Sequence, residues 1–300
     1  MATMLSPSWT PRWWRAVVPA ILLAAPTAAQ RPAVTAPPAR WATDPFYARW
    51  VDAGGIPILA STKTPDRALL LAREIVRSML SGRPDLAAEL VREGQRVAIM
   101  AADESTLDIP EQRNWTKPAA DDPRLTRCER KHYAERIGRL TDRAYWDARA
   151  RGMGGVLTSV GEENVLAAPN DRYHGSSILV HEFAHAILRA AATADPALHA
   201  RVQAAYAHAM KKGLWAGEYA STTVDEYWAV GTQFWFNTAR IVSFGDRRVL
   251  SDADLRAYDP ELYGLLSEVY QGHQAAGDLF HDHPDRVPPG PLPAYTAEVC

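Results

Sequence analysis

Residues Ser177 to Leu188 read SILVHEFAHAIL, an apolar run interrupted by His181, Glu182 and His185. On a helix, positions i and i+4 lie on one face, with Cβ atoms about 5–6 Å apart. His181 and His185 therefore project side by side, while Ile178, Leu179, Val180, Phe183, Ala184, Ile187 and Leu188 supply the packing face. Two neutral imidazoles at that spacing chelate a zinc ion. Glu182 stands one step round the helix, beside the ion rather than on it, where it takes a proton from a zinc-bound water. An unpaired polar group in an apolar setting is costly, so three titratable groups on one apolar helix point to a bound metal.

A catalytic zinc takes three protein ligands and leaves a fourth position open. Leu188 and Ala191 stand where a metzincin would carry glycine and histidine, so that layout is excluded. Gly231-Thr232 is followed by Gln233, Phe234 and Trp235, which removes an aspartate ligand after a Gly-Thr pair. A glutamate on a downstream helix remains, in STTVDEYWAVGTQFWFN (residues 221–237). Glu226 is favoured over its neighbour Asp225 and over Glu218. Thr222, Thr223, Ala229, Val230 and Gln233 share its helical face, and small residues there allow close approach to a metal site. Ser221 or Thr222 is the expected cap of this helix. Tyr219 is the first candidate donor to a developing oxyanion, ahead of Tyr227 and His174.

HEFAH followed by DEYWAVGTQFWF resembles the gluzincin group of zinc metallopeptidases. It is similar in particular to the catalytic domains of anthrax-lethal-factor-like proteins and to secreted proteins with an EYWA-type glutamate helix. The resemblance covers roughly residues 150 to 270. It implies a zincin-like α+β fold, a Zn2+ ion held by His181, His185 and Glu226, and Glu182 as general base. It departs from thermolysin-like members at Val230, which occupies the place of an aspartate that orients a ligand histidine; here the orienting group must come from elsewhere.

Outward from this centre, the chain reads as an α+β protein, with a small sheet and helices in its N-terminal part and a mainly helical C-terminal part. Residues 1–29 have the layout of a secretory signal peptide: Arg12 and Arg15, an apolar run over 16–25 too short to span a bilayer, then small residues. Residues 30–43 form a proline-rich flexible leader, and 44–300 the catalytic domain with a proline-rich tail. Helices are expected over 45–53, 65–81, 84–93, 176–192, 196–212 and 222–237, and over 252–270 with a break at Pro260. Strands are expected over 56–60, 95–101 and 155–160. Either of the last two is a candidate for the edge that pairs with an extended peptide. Cys128 and Cys300, the only cysteines, suit one disulfide in an exported chain.

The 300 residues are 47% hydrophobic and 23% charged, enough apolar material for a sizeable core. A net charge of -2 and the lack of any basic run argue against nucleic-acid partners. The expected protein is thus a secreted or periplasmic zinc metallopeptidase acting on peptide or protein substrates. The rival readings are a non-catalytic secreted binding protein on the same scaffold and a zinc hydrolase of a non-peptide substrate.

Overall fold

Two apolar runs, PILA and RVAIM, become the interior of a five-stranded sheet. In the computed structural model, which describes residues 32–41, 44–123, 125–244 and 247–292, the sheet comprises β1 (Arg49–Asp52), β2 (Pro57–Ala60), β3 (Arg96–Met100), β4 (Gly152–Met153) and β5 (Leu157–Gly161), in the order β1-β2-β3-β5-β4. β2, β3 and β5 run parallel; β1 and β4 are antiparallel at the two edges. Strands covered on both faces read as continuous hydrophobic runs, and all four residues of β2 are buried. The crossover from β2 to β3 carries α1 (Asp66–Leu80) and α2 (Pro84–Arg92). In α1, Leu69, Ala72, Ile75, Val76 and Met79 recur every three or four residues, and all are buried.

Short helices α3 (Arg127–Lys131), α4 (Asp142–Arg149) and α5 (Glu162–Val165) border the sheet in sequence. Five helices then follow: α6 (Ile178–Ala194), α7 (Pro196–Lys211), α8 (Val224–Trp235), α9 (Asp252–Tyr258) and α10 (Pro260–Val269). A hairpin of β6 (Val242–Phe244) and β7 (Arg247–Val249), not expected from the sequence, separates α8 from α9. The architecture is α+β, sheet first and helices after. α6 is its axis: it packs on β4 and β5 on one side and on α2, α7 and α8 on others. The main apolar core runs continuously from Ile58 and Val97 through Phe183 and Ile187 to Trp228 and Leu262.

Several local expectations are corrected. The stretch 45–53 forms β1 rather than a helix, because Gly54 and Gly55 turn the chain back at positive φ (+77° and +94°) and pair it with β2. Asp52 accepts hydrogen bonds from both glycine amides and holds the turn. Pro65, not the first residue of the helix, takes the cap position of α1, and the Thr64 hydroxyl before it donates to the Ile99 carbonyl at 3.3 Å. The glycine-rich stretch after Arg151 is a hairpin. β4 is therefore the sheet edge, whereas β3 is central and β5 is internal. In the leader, Thr35 exchanges two backbone hydrogen bonds with Trp50, at 3.0 and 2.8 Å, and covers the opposite edge. Cys128 is buried and disulfide-bonded. The signal-peptide segment and Cys300 lie outside the described residues.

Candidate metal centre

The helical spacing of His181 and His185 sets their rings 4.9 Å apart, centroid to centroid, at 84° to one another. Their Nε2 atoms approach to 3.3 Å. α8 crosses against α6 and presents Glu226, whose Oε2 lies 2.9 Å from His181 Nε2 and 3.7 Å from His185 Nε2. The cap of α8 is Thr223, not Ser221 or Thr222: its side chain accepts from the Glu226 amide at 3.1 Å. Glu226 thereby sits in the first turn, where its carboxylate also faces the positive helix end. Asp225 points to solvent on the neighbouring face, and Glu218 is buried in the cleft wall; neither joins the cluster.

The ligand-type atoms of His181, His185 and Glu226 all lie within 4.8 Å of one another. Although Glu226 Oε2 is close to His181 Nε2, no hydrogen bond reaches it, so it is a buried carboxylate oxygen without a donor. Distance alone would call this an ion pair; the missing donor alignment is the more discriminating observation. Gln233 supplies the remaining constraint. Its Nε2 donates to the Ser177 carbonyl at 2.8 Å and to Ser176 Oγ at 2.9 Å, which turns its Oε1 toward His181 Nδ1 at 3.1 Å. A carbonyl oxygen only accepts, so His181 Nδ1 carries the hydrogen and Nε2 faces the cluster. Two imidazole nitrogens, one carboxylate and an oriented histidine fit a zinc ion with an open position.

Burial works to lower the His181 pKa, but the carboxylates of Glu226 and Glu182 beside it together raise it. Burial and the neighbouring His181 charge push His185 down to about 4. Burial also pushes Glu182 up to about 7, with the Glu226 charge adding to it. A positive ion among these groups would favour carboxylates over their acids.

β4 passes directly over α6, and glycine at position 152 allows this. A Cβ on Gly152 would stand 2.3 Å from Ile178 Cγ2; one on Gly154 would stand 3.1 Å from His185 Cδ2 and 3.3 Å from Glu182 Oε2. The Gly154 backbone lies against the Glu182 carboxylate and works to favour its charged form. Tyr219 closes the other side: its hydroxyl donates to Glu226 Oε1 at 3.0 Å, and its ring stacks near His181. Burial and the Glu226 charge push its phenol well above the usual range, so it stays protonated. These groups line a cleft of about 690 Å³.

Two other candidates fall away. Tyr227 is fully buried and donates to Asp259 at 2.8 Å. His174 is held between the Ala168 carbonyl (3.0 Å) and Asp285 Oδ2 (2.7 Å). With His283 it forms a second His/Asp group, but His283 Nδ1 already accepts from the Asp285 amide. Sequence reasoning missed Gln233 as the orienting residue. Its position seven residues after Glu226, two turns along the same face, was the available signal.

No protein-family model matches this chain, and no curated protein matches it in sequence. Among solved structures, it is similar to the Pro-Pro endopeptidase PPEP-2 from Paenibacillus alvei. The match is 16% identical, covers 67% of this chain and 91% of the other, and has a TM-score of 0.39. No helix among the described residues is long and apolar enough to cross a membrane.

Proposed function

We propose that this chain is an exported zinc-dependent metallopeptidase that hydrolyses peptide bonds. The observation that carries the reading is the convergence of His181, His185 and Glu226 on one point, with Glu182 beside it in the same cleft. When bound there, zinc supplies Lewis acidity, which acidifies water and polarises a carbonyl.

The protein's own groups do the rest. His181, His185 and Glu226 hold the ion, and Gln233 keeps His181 in the tautomer that binds it. Glu182 takes the proton of the attacking water and passes it to the leaving amine. Tyr219, a protonated phenol on the cleft wall, turns its one O–H from Glu226 Oε1 to the developing oxyanion. An extended peptide pairs with the outer edge of β4, which places its backbone over Glu182. An intact base beside an open three-ligand set favours catalysis over a binding protein on the same scaffold, since a structural site takes four protein ligands.

The test has two parts. The purified mature chain should carry about one zinc per molecule, the stoichiometry of a single three-ligand site. It should also cleave members of a broad peptide library, and Glu182→Gln should abolish cleavage while keeping the metal. Cleavage that survives Glu182→Gln rules out this general-base mechanism.

A further inference from the structure

The chain is net negative, yet beside the glutamates Glu182, Glu218 and Glu226 the lining of the cleft carries two arginines, and a third adjoins it. Arg149 and Arg240 line the cleft, and Arg172 adjoins the lining residue Tyr173, over whose ring its guanidinium stacks at 5.0 Å. All three are exposed. The partners of Arg172 and Arg240 are unusual. Arg240 donates from Nε and Nη2 to the carbonyls of His174 and Arg172. Arg172 donates from Nη1 and Nη2 to the carbonyls of Ala148 and Asp147. Neither forms an ion pair among the described residues, whereas Arg83, Arg96, Arg143, Arg151 and Arg189 each meet a carboxylate. Arg149 has one loose partner, Glu129, at 3.6 Å.

Carbonyl acceptors orient a guanidinium without neutralising it. Arg240 keeps Nη1, and Arg172 keeps Nε, free of any protein partner among the described residues. The two side chains are linked, since Arg240 bonds the Arg172 carbonyl. Each guanidinium thus carries no carboxylate partner and keeps one nitrogen for a further acceptor, and a carboxylate accepts a charged hydrogen bond there. Set at the mouth of a cleft with low-dielectric walls, the two groups have their field focused there.

We propose that the substrate of this site is an acidic peptide, whose Asp or Glu side chains are bound by Arg172 and Arg240, with Arg149 adding to the field. This rests on the peptidase reading for the word substrate, but not for the binding. A purely structural role for the two arginines, holding the 172–174 loop, predicts no dependence on the charge of the peptide.

The decisive measurement changes the peptide and leaves the protein intact. Fluorescent peptides differing only by Glu against Gln are titrated onto the zinc-supplemented Glu182→Gln chain, which reads binding without turnover. The acidic peptides should bind at least about 10-fold more tightly, and that advantage should shrink several-fold between 50 and 500 mM salt, as screening requires. Arg172→Gln and Arg240→Gln, checked for an unchanged melting transition, should each remove most of the advantage. Equal binding of Glu and Gln peptides overturns the proposal whatever the variants do. Cleavage without acid preference leaves the peptidase reading standing and removes this one. Acid-selective binding by a chain that neither holds zinc nor cleaves does the reverse.

Discussion

Gln233 offers its side-chain oxygen to His181 Nδ1 at 3.1 Å while the Ser177 carbonyl holds its amide nitrogen at 2.8 Å. Ser177 is the residue from which α6 starts, so α6 and Gln233 of α8 are tied at one place. Replacing Gln233 by Leu removes the acceptor and leaves His181 free to rotate. Zinc affinity should fall about 10–100-fold, the usual cost of losing such a partner, in competition with a chelating dye. An unchanged affinity would show that His181 needs no such support.

Glu226 and Asp225 are adjacent, and only Glu226 faces the histidines. Glu226→Ala should reduce zinc affinity by more than the roughly 100-fold ceiling expected for an orienting residue, and Asp225→Ala should leave it unaltered. The same chelator titration decides between them; a large loss in Asp225→Ala reverses the assignment.

Tyr219→Phe removes the hydroxyl that donates to Glu226 Oε1 and keeps the ring against His181. If the hydroxyl serves the oxyanion, kcat falls about 10²–10³-fold, with KM and zinc content little changed. A change confined to zinc content would reduce Tyr219 to a partner of Glu226.

Gly152 is where β4 crosses α6, and an added Cβ meets Ile178 Cγ2 at 2.3 Å. Gly152→Ala must push the edge strand off the helix. It should destabilise the chain by about 1–3 kcal/mol, as overpacking does, and disturb the Gly154 contact with Glu182. Chemical denaturation measures the first effect, and an unaltered midpoint would contradict this packing.

Asp108 caps the short turn after β3 and pairs with Arg143 on α4 at 2.6 and 3.2 Å. The Arg143 guanidinium holds its carboxyl below the ordinary value. A depressed folded pKa contributes stability that is present above the unfolded pKa, about 3.9, and lost as pH falls through the folded value. Asp108→Asn should therefore be less stable than the parent at pH 7, by up to about 1 kcal/mol for this part-exposed pair. The gap should close as the pH drops below 4. A pH-independent difference would show that the charge of Asp108 is not what stabilises the fold here.

What sequence by itself determined here was local and periodic. The spacing of four placed His181 and His185 on one helical edge, and the apolar positions around them required that helix to be buried. The residue types of the 221–237 segment narrowed the third partner to Glu226 and its neighbours, and the runs PILA and RVAIM announced interior strands. What only the tertiary structure decided depends on residues far apart in the chain. The edge strand is β4, because strand order follows from which helices cover which sheet edge, and no local signal encodes that. Thr223 rather than Thr222 caps α8, a one-residue choice made by where the α6 contact sets the helix. Gln233 orients His181 across 52 residues, through an amide whose direction is set by the Ser177 carbonyl. Helical periodicity reports which face of a helix is polar; only the packing of α8 on α6 reports what that polarity meets.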